Sequence, residues 1–389
     1  MKFFLFSLII LISSGFVVYF FLGSKEKSML TDTTGNVDSQ LNMPGDEGGV
    51  ENDLHPLTIE SIRKGEYPGS EIVIEQTLGP GSNYQRYIVS YKSEGLKIFA
   101  LLTVPNSAPS TSHSTVSSDR IGSGWPAIVF NHGYIPPAQY RTTERYIAYT
   151  DGFSRNGYVL LRPDFRGHGN SEGQATGGYG SNSYTVDVLN AVSSIKRLKS
   201  PSFWQAKNER VQNPVGDAGQ ASMTGESLVD TNRIGMWGHS MGGFIALRNM
   251  VVSRDVKAGV IWGGVVASYT DLLRNWRRGS LTPPPLPTGA RRWRQSLIEK
   301  YGEPEENPTF WSSISANSFL SDISGPVQLH HGEMDSSVPV AFSKNLYEQL
   351  ISIGKEAELF TYPGDDHDIT SNFGIAMQRS IDFFDKHLK

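Results

Sequence analysis

The chain of 389 residues contains no cysteine. Disulfides, a catalytic thiol and thiolate metal sites are therefore excluded, whatever the redox state of its compartment. Positive charge is not in excess either: 35 Lys and Arg stand against 39 Asp and Glu, for a formal net charge of −4. Without a basic field to attract phosphates, nucleic acid is not expected as a partner. Metal-ligand clusters are scarce too. Asp365, Asp366 and Asp368 flank His367, but no second histidine lies close in sequence, and adjacent acids on a loop are more often solvated than ligating. Neither a metal nor a cofactor is expected.

Residues 3–22 form an uncharged apolar run of 20 residues after Lys2. As a helix such a run spans about 30 Å, the thickness of a bilayer's hydrocarbon core. A cleaved signal peptide, and with it a secreted protein, is the rival reading. Ser13-Ser14-Gly15 offers a small-residue cleavage site, but cutting there would leave the apolar stretch 16–22 as an exposed end. A signal anchor over residues 1–24 is therefore expected, giving a single-pass membrane protein. Lys2, Lys25 and Lys27 do not fix its orientation by charge. Because so short an N-terminal tail usually stays inside, the rest of the chain is expected outside the cytoplasm. Residues 25–56, rich in Thr, Asp, Asn, Gly and Ser, read as a flexible tether with a reach of roughly 30 Å.

The remainder, 57–389, alternates strand-like and helix-like segments. Leading strands are expected at 71–77, 84–91 and 97–104. Others follow at 127–131, 158–162, 234–237, 258–262, 327–331 and 358–362, with amphipathic helices at 183–198 and 341–353 between them. That alternation is the signature of an α/β fold with a mostly parallel central sheet flanked by helices. The Ser/Thr/Gly-rich stretch 107–124 reads as a surface loop. The polar stretch 207–229 reads as an insertion without an assigned role.

The most informative segment is 233–244, RIGMWGHSMGGF. An apolar strand runs into Gly238-His239-Ser240-Met241-Gly242, and a helix-compatible segment follows. A serine at such a sharp strand-to-helix turn sits in a strained conformation, and only residues without Cβ leave room two positions to either side. The partners expected after such a serine, an acid and then a histidine, occur in that order. Asp335 follows the strand at 327–331, and His367 follows the strand at 358–362. Each lies beyond a strand's C-terminal end, where an open parallel sheet gathers its reactive groups. A free hydroxyl is a poor nucleophile at neutral pH, so Ser240 would pass its proton to His367. Asp335 would fix the imidazole tautomer and stabilise its charged form. Glu333 is the rival acid.

From about residue 125 onward the chain resembles the α/β-hydrolase superfamily, and more narrowly the catalytic domain of the prolyl oligopeptidase family and its esterase-like relatives. The resemblance is carried by Asn131-His132-Gly133-Tyr134, by 164–171 (DFRGHGNS), by 230–235 leading into the elbow, by 331–340 (HGEMDSSVPV) and by 362–369 (YPGDDHDI). Tyr301-Gly302-Glu303-Pro304 and 313–316 sit where the family carries similar short signatures. Only about a hundred residues precede this core, so the β-propeller that gates many members is not expected. The resemblance places the acid at Asp335 rather than Glu333. The turn 132–134 has two readings, an oxyanion hole built from the backbone N–H groups of Tyr134 and Met241, which is favoured, and a glycine turn with a packed tyrosine. Arg166-Gly167-His168-Gly169 reads as a structural turn, and His168 is not taken as a catalytic base.

Residues 268–318 are too long for a plain connection and read as a cap. They carry Arg274, Arg277, Arg278, Arg291, Arg292 and Arg294 beside Trp276 and Trp293. One reading is a solvated helix pair; the other is a cationic, aromatic rim that attracts a carboxylate-bearing substrate or a phospholipid surface. The expected function is that of a serine hydrolase acting on carboxylic esters or short-peptide amides through an acyl-enzyme. An acyltransferase, or a non-catalytic surface-binding protein on the same fold, are the alternatives.

Overall fold

The computed structural model describes residues 54–106, 124–201, 223–276 and 288–389. The apolar run 3–22, most of the tether, nearly all of the loop 107–124, the larger part of the insertion 207–229 and the proline segment of the cap lie outside these residues. Among the described residues no helix is long and apolar enough to cross a membrane.

Eleven strands are described: β1 Val73–Thr77, β2 Tyr84–Ser93, β3 Leu96–Pro105, β4 Trp125–Asn131, β5 Val159–Pro163, β6 Lys199–Pro201, β7 Met223–Ser227, β8 Val229–His239, β9 Val256–Trp262, β10 Val327–Gly332 and β11 Ala357–Tyr362. Nine of them form one sheet in the order β1-β2-β3-β5-β4-β8-β9-β10-β11. The first three pair antiparallel, and β3 also runs antiparallel to β5. From β5 to β11 every pairing is parallel. Between β2 and β3, Glu94 and Gly95 both take positive φ, 48° and 81°. Two such residues make the tight turn whose twist suits a two-residue hairpin.

The central strands are short apolar runs because both faces of the sheet are covered. Along β4, Ala127 and Val129 join one core while Ile128 and Phe130 join the other. The first core packs the sheet against helices Ser183–Ile195, Met241–Val252 and Val340–Ser352 through Leu189, Met250 and Leu346. The second packs it against Ile147–Arg155 and Phe373–Leu388 through Phe153 and Phe384. Register then aligns the C-terminal strand ends. Asn131 pairs with Gly238, His239 with Trp262, Trp262 with His330, and Gly332 with Tyr362. The loops after β4, β8, β10 and β11 therefore open on one edge of the sheet.

The cap contains helices Tyr269–Arg274, Thr288–Tyr301 and Pro308–Ile314 and a 3-10 segment, Ala316–Asp322. Local chemistry starts two of them. The Ser268 side chain accepts the Asp271 N–H, and the Asn307 side chain accepts the Phe310 N–H with Pro308 just inside. The buried Arg248 guanidinium ties the cap to the body: Nη1 donates to the Ile314 carbonyl, Nη2 to the Leu57 carbonyl and to Asn182 Oδ1. Two features differ from the sequence reading. The helix expected over 183–198 ends at Ile195, and the chain turns there into β6, which pairs antiparallel with β7. Neither strand shows the apolar alternation by which strands are read from sequence.

Candidate active site

Ser240 sits between β8 and the helix Met241–Val252, with φ 55° and ψ −118°. A non-glycine residue in this region costs about 1–3 kcal/mol and persists only where its surroundings over-determine it. The surroundings here do so. The Ser240 N–H donates to the Trp262 carbonyl at 3.0 Å, and its carbonyl accepts the N–H groups of Gly243 and Val265 at 3.0 Å each. The flanking glycines are required by close approach. A Cβ on Gly238 would lie 2.4 Å from the Gly242 carbonyl oxygen, and one on Gly242 would lie 2.0 Å from the Asn131 carbonyl oxygen.

His367 and Asp335 meet on the same edge of the sheet. His367 Nδ1 lies 2.6 Å from Asp335 Oδ2. The Asp335 side chain is buried, and its Oδ1 accepts the N–H groups of Ser337 and Val338 at 2.7 and 2.9 Å. Burial alone would raise its pKa. Hydrogen bonds from His331 and His367, with the Val338 N–H and the His367 charge, outweigh that and hold the carboxyl below the usual range. Glu333, the rival acid, is exposed and accepts instead from the Thr361 hydroxyl. His367 Nε2 is left free of hydrogen bonds among the described residues, and so is the Ser240 hydroxyl.

The loop after β4 is held by histidine and tyrosine side chains. His132 Nδ1 lies 2.7 Å from the Gly133 carbonyl. Burial pushes the His132 imidazole down to about 3, so it is neutral and donates from Nδ1. In a trans peptide C=O and N–H point in opposite directions. Pinning the Gly133 carbonyl on His132 therefore aims the Tyr134 N–H the other way. Among the described residues that N–H has no acceptor. The Met241 N–H lies in the first turn of its helix, where backbone donors have no intrahelical partner. The Tyr134 ring is exposed.

Three supporting residues are given no role by the sequence patterns. His331, buried, places Nε2 at 3.1 Å from Asp335 Oδ2 and at 3.0 Å from the Val338 carbonyl, with Nδ1 2.7 Å from Ser343 Oγ. His239, beside the serine, and Tyr146, far from it in sequence, are hydrogen-bonded to each other. His168 is a buried structural residue packed edge-on among the rings of His132, Tyr140 and Tyr184. Asp365 accepts the N–H groups of Ser371 and Asn372 and so shapes the loop that carries His367. No group of acids and histidines among the described residues could hold a metal ion.

Two of the six cap arginines have described partners. Arg274 is paired with Glu303 and Glu305 at 3.0 and 2.6 Å. The Arg294 guanidinium lies over the rings of Trp293 and Trp276 and donates to the Leu272 carbonyl. Arg277, Arg278 and the side chains of Arg291 and Arg292 lie outside the described residues. Trp276 Nε1 donates to the Ser337 carbonyl at 2.8 Å, which joins the cap to the turn carrying Asp335.

Comparison with known proteins agrees with the fold. Residues 217–389 match the model of the prolyl oligopeptidase family, and residues 119–290 match that of the X-Pro dipeptidyl-peptidase family. Among solved structures, a Pyrococcus horikoshii acylaminoacyl peptidase is similar at 19% identity and a TM-score of 0.52, over 79% of this chain and 42% of that one. Porphyromonas gingivalis dipeptidyl peptidase 4 is similar at 18% identity and a TM-score of 0.53, over 79% of this chain and 36% of that one. A Pyrococcus furiosus esterase is similar at 20% identity and a TM-score of 0.50, over 79% of this chain and 94% of that one. This chain thus spans less than half the length of the two peptidases. The sheet topology and these neighbours show an α/β-hydrolase fold, and the two family models, each matching less than half of the chain, support a prolyl oligopeptidase-like catalytic domain of the serine peptidase and esterase type.

Proposed function

We propose that the protein cleaves carboxylic esters or short-peptide amides through an acyl-enzyme, with Ser240 as nucleophile, His367 as general base and Asp335 as its orienting acid. The observation that carries the reading is the 2.6 Å bond between His367 Nδ1 and the buried Asp335 carboxylate, on the sheet edge where Ser240 is strained into an elbow. That bond leaves His367 Nε2 as the nitrogen able to take the Ser240 proton. Oγ attacks the substrate carbonyl as the proton moves to Nε2, and the Tyr134 and Met241 N–H groups receive the oxyanion. Collapse expels the alcohol or amine, which takes the proton from Nε2. Water then repeats the sequence and releases the acid. The Ser240–His367 hydrogen bond forms in the substrate complex, a tightening common to such sites.

The substrate class is read from small esters and short peptides. Both matching family models are of peptidases, while the structural neighbours include an esterase. A side-by-side panel of short acyl esters and of aminoacyl and prolyl amides decides the preference, with Ser240→Ala as the control. Turnover of neither class by the wild type would overturn the reading. We further place the domain outside the cytoplasm on an anchor formed by residues 3–22. Full-length protein should then stay with membranes through alkaline carbonate extraction, and a mature N-terminus at Phe16 or beyond would refute the anchor.

A further inference from the structure

A chain of hydrogen bonds joins three loops that the Ser–His–Asp set does not connect in this way. The Gly133 N–H donates to Tyr146 Oη at 2.9 Å. Tyr146 Oη lies 2.7 Å from His239 Nδ1, and His239 Nε2 lies 3.1 Å from the His367 carbonyl oxygen. The two ends fix the direction of every link. A peptide N–H can only donate and a carbonyl can only accept. His239 therefore carries its proton on Nε2, its Nδ1 accepts, and the Tyr146 hydroxyl donates to it. Burial, then the neighbouring His367, hold the His239 imidazole down at about 3. It stays neutral, and the 3.6 Å approach of the Asp368 carboxylate to Nε2 is not an ion pair.

Backbone strain is spent on aiming Tyr146. Arg145 and Tyr146 are consecutive non-glycine residues with φ 56° and 50°. Such positions cost about 1–3 kcal/mol each and need a clamp. The clamp is Arg162 of β5, whose buried guanidinium donates to the carbonyls of Arg145 at 2.8 Å, Glu144 at 3.1 Å, and Thr142. One planar cation holding three carbonyls of one turn fixes Tyr146 at the start of helix Ile147–Arg155. Its ring packs edge-on against Phe130 and Trp237. The space is tight: a Cβ on Gly133 would lie 2.8 Å from Tyr146 Oη, 3.2 Å from His239 Nδ1 and 3.2 Å from Ser240 Cβ.

We propose that Tyr146 and His239 are positioning residues that lock the Gly133–Tyr134 loop, the Ser240 elbow and the His367 loop into one reactive register. This rests on the roles given above to Ser240, His367 and Tyr134. Gly133 precedes the oxyanion donor, His239 precedes the nucleophile, and the accepting carbonyl belongs to the base itself. Losing the Tyr146 hydroxyl unpairs the Gly133 N–H and His239 Nδ1 together, and both loops relax. Neither residue is assigned a substrate contact, so the loss falls on kcat rather than KM.

Tyr146→Phe in the full-length protein keeps the ring and its packing. Turnover is counted per site titrated with a fluorophosphonate, so misfolded protein does not enter. The expected result is a fall in kcat of roughly 10- to 100-fold, the size of effect that a misplacement of about 1 Å produces. KM should move by less than about threefold. His239→Gln should give a comparable loss, and the double variant no more than the larger single loss, because both break one chain. Wild-type kcat per titrated site in Tyr146→Phe, or losses that multiply in the double variant, would overturn the proposal. If His239→Gln does not fold, Tyr146→Phe alone decides. A wild-type protein that fails to label at Ser240 would instead sink the triad, which separates the two failures.

Discussion

Asparagine at position 335 puts the strongest demand on the geometry, because the carboxylate accepts at both oxygens and an amide cannot. Oδ1 takes two backbone N–H groups at 2.7 and 2.9 Å, and Oδ2 faces His367 Nδ1 at 2.6 Å and His331 Nε2 at 3.1 Å. If the amide oxygen stays on the backbone pair, its NH2 faces two imidazole nitrogens that were donors. His367 must then move its proton to Nε2, the nitrogen that has to receive the Ser240 proton. Such a tautomer switch costs on the order of 10⁴ in kcat, or about 5.5 kcal/mol. If the amide flips, His367 keeps its tautomer, but two backbone donors lose their acceptor at about 1–3 kcal/mol each. Either outcome is large. Asp335→Asn should therefore lose roughly 10³- to 10⁴-fold in kcat on a short acyl ester, measured per titrated site. Linkage adds a second readout. The Asp335 pKa is depressed in the folded state, so its stabilisation is present above an unfolded value of about 4 and is lost as pH falls below it. The asparagine variant should lack that acid-side loss in its thermal midpoint. A variant within about tenfold of wild-type kcat, with an unchanged acid limb, would refute the reasoning.

Two further outcomes follow from buried groups near the site. Asp164 accepts the Tyr140 and Thr142 hydroxyls, yet burial pushes its pKa up to about 6. A raised carboxyl favours the folded state at low pH and loses that contribution as pH rises from about 4 through 6, a swing of about 3 kcal/mol. Asp164→Asn should flatten the thermal midpoint over that range, and a midpoint that tracks the wild type would contradict the assignment. Gly242→Ala places a methyl 2.0 Å from the Asn131 carbonyl oxygen, so either the elbow or the end of β4 must move. It should abolish fluorophosphonate labelling and lower the thermal midpoint, and a stable, labelling variant would show that the elbow can yield.

What the sequence disclosed follows from how local each feature is. The elbow is a five-residue steric pattern, and Asp335 and His367 each sit just past an apolar run, so all three could be read directly. The central parallel strands β4, β5, β9 and β10 were legible because both of their faces are buried, which makes them short, largely apolar runs, whereas the edge strand β11 is only partly buried. Tyr146 was not legible: it reaches His239 across 93 residues, and nothing around it has a local pattern. Its aim depends on Arg162, a buried charge whose partners are carbonyls, and carbonyls leave no trace in side-chain chemistry. His331 lies inside the motif that carries Asp335, but four residues along a turn do not reveal a shared oxygen. The cap was read from its arginines. The structure gives two of them partners in Glu303, Glu305 and the indole faces of Trp276 and Trp293, contacts that composition does not encode.

The central claim is that Ser240 is the nucleophile, and covalent labelling tests it most directly. Full-length protein treated with a fluorophosphonate should gain one adduct, mapped by peptide mass spectrometry to Ser240. Ser240→Ala should gain none, and His367→Ala should label orders of magnitude more slowly, because the hydroxyl loses its base. An adduct that persists in Ser240→Ala, or that maps to another residue in the wild type, would contradict the account.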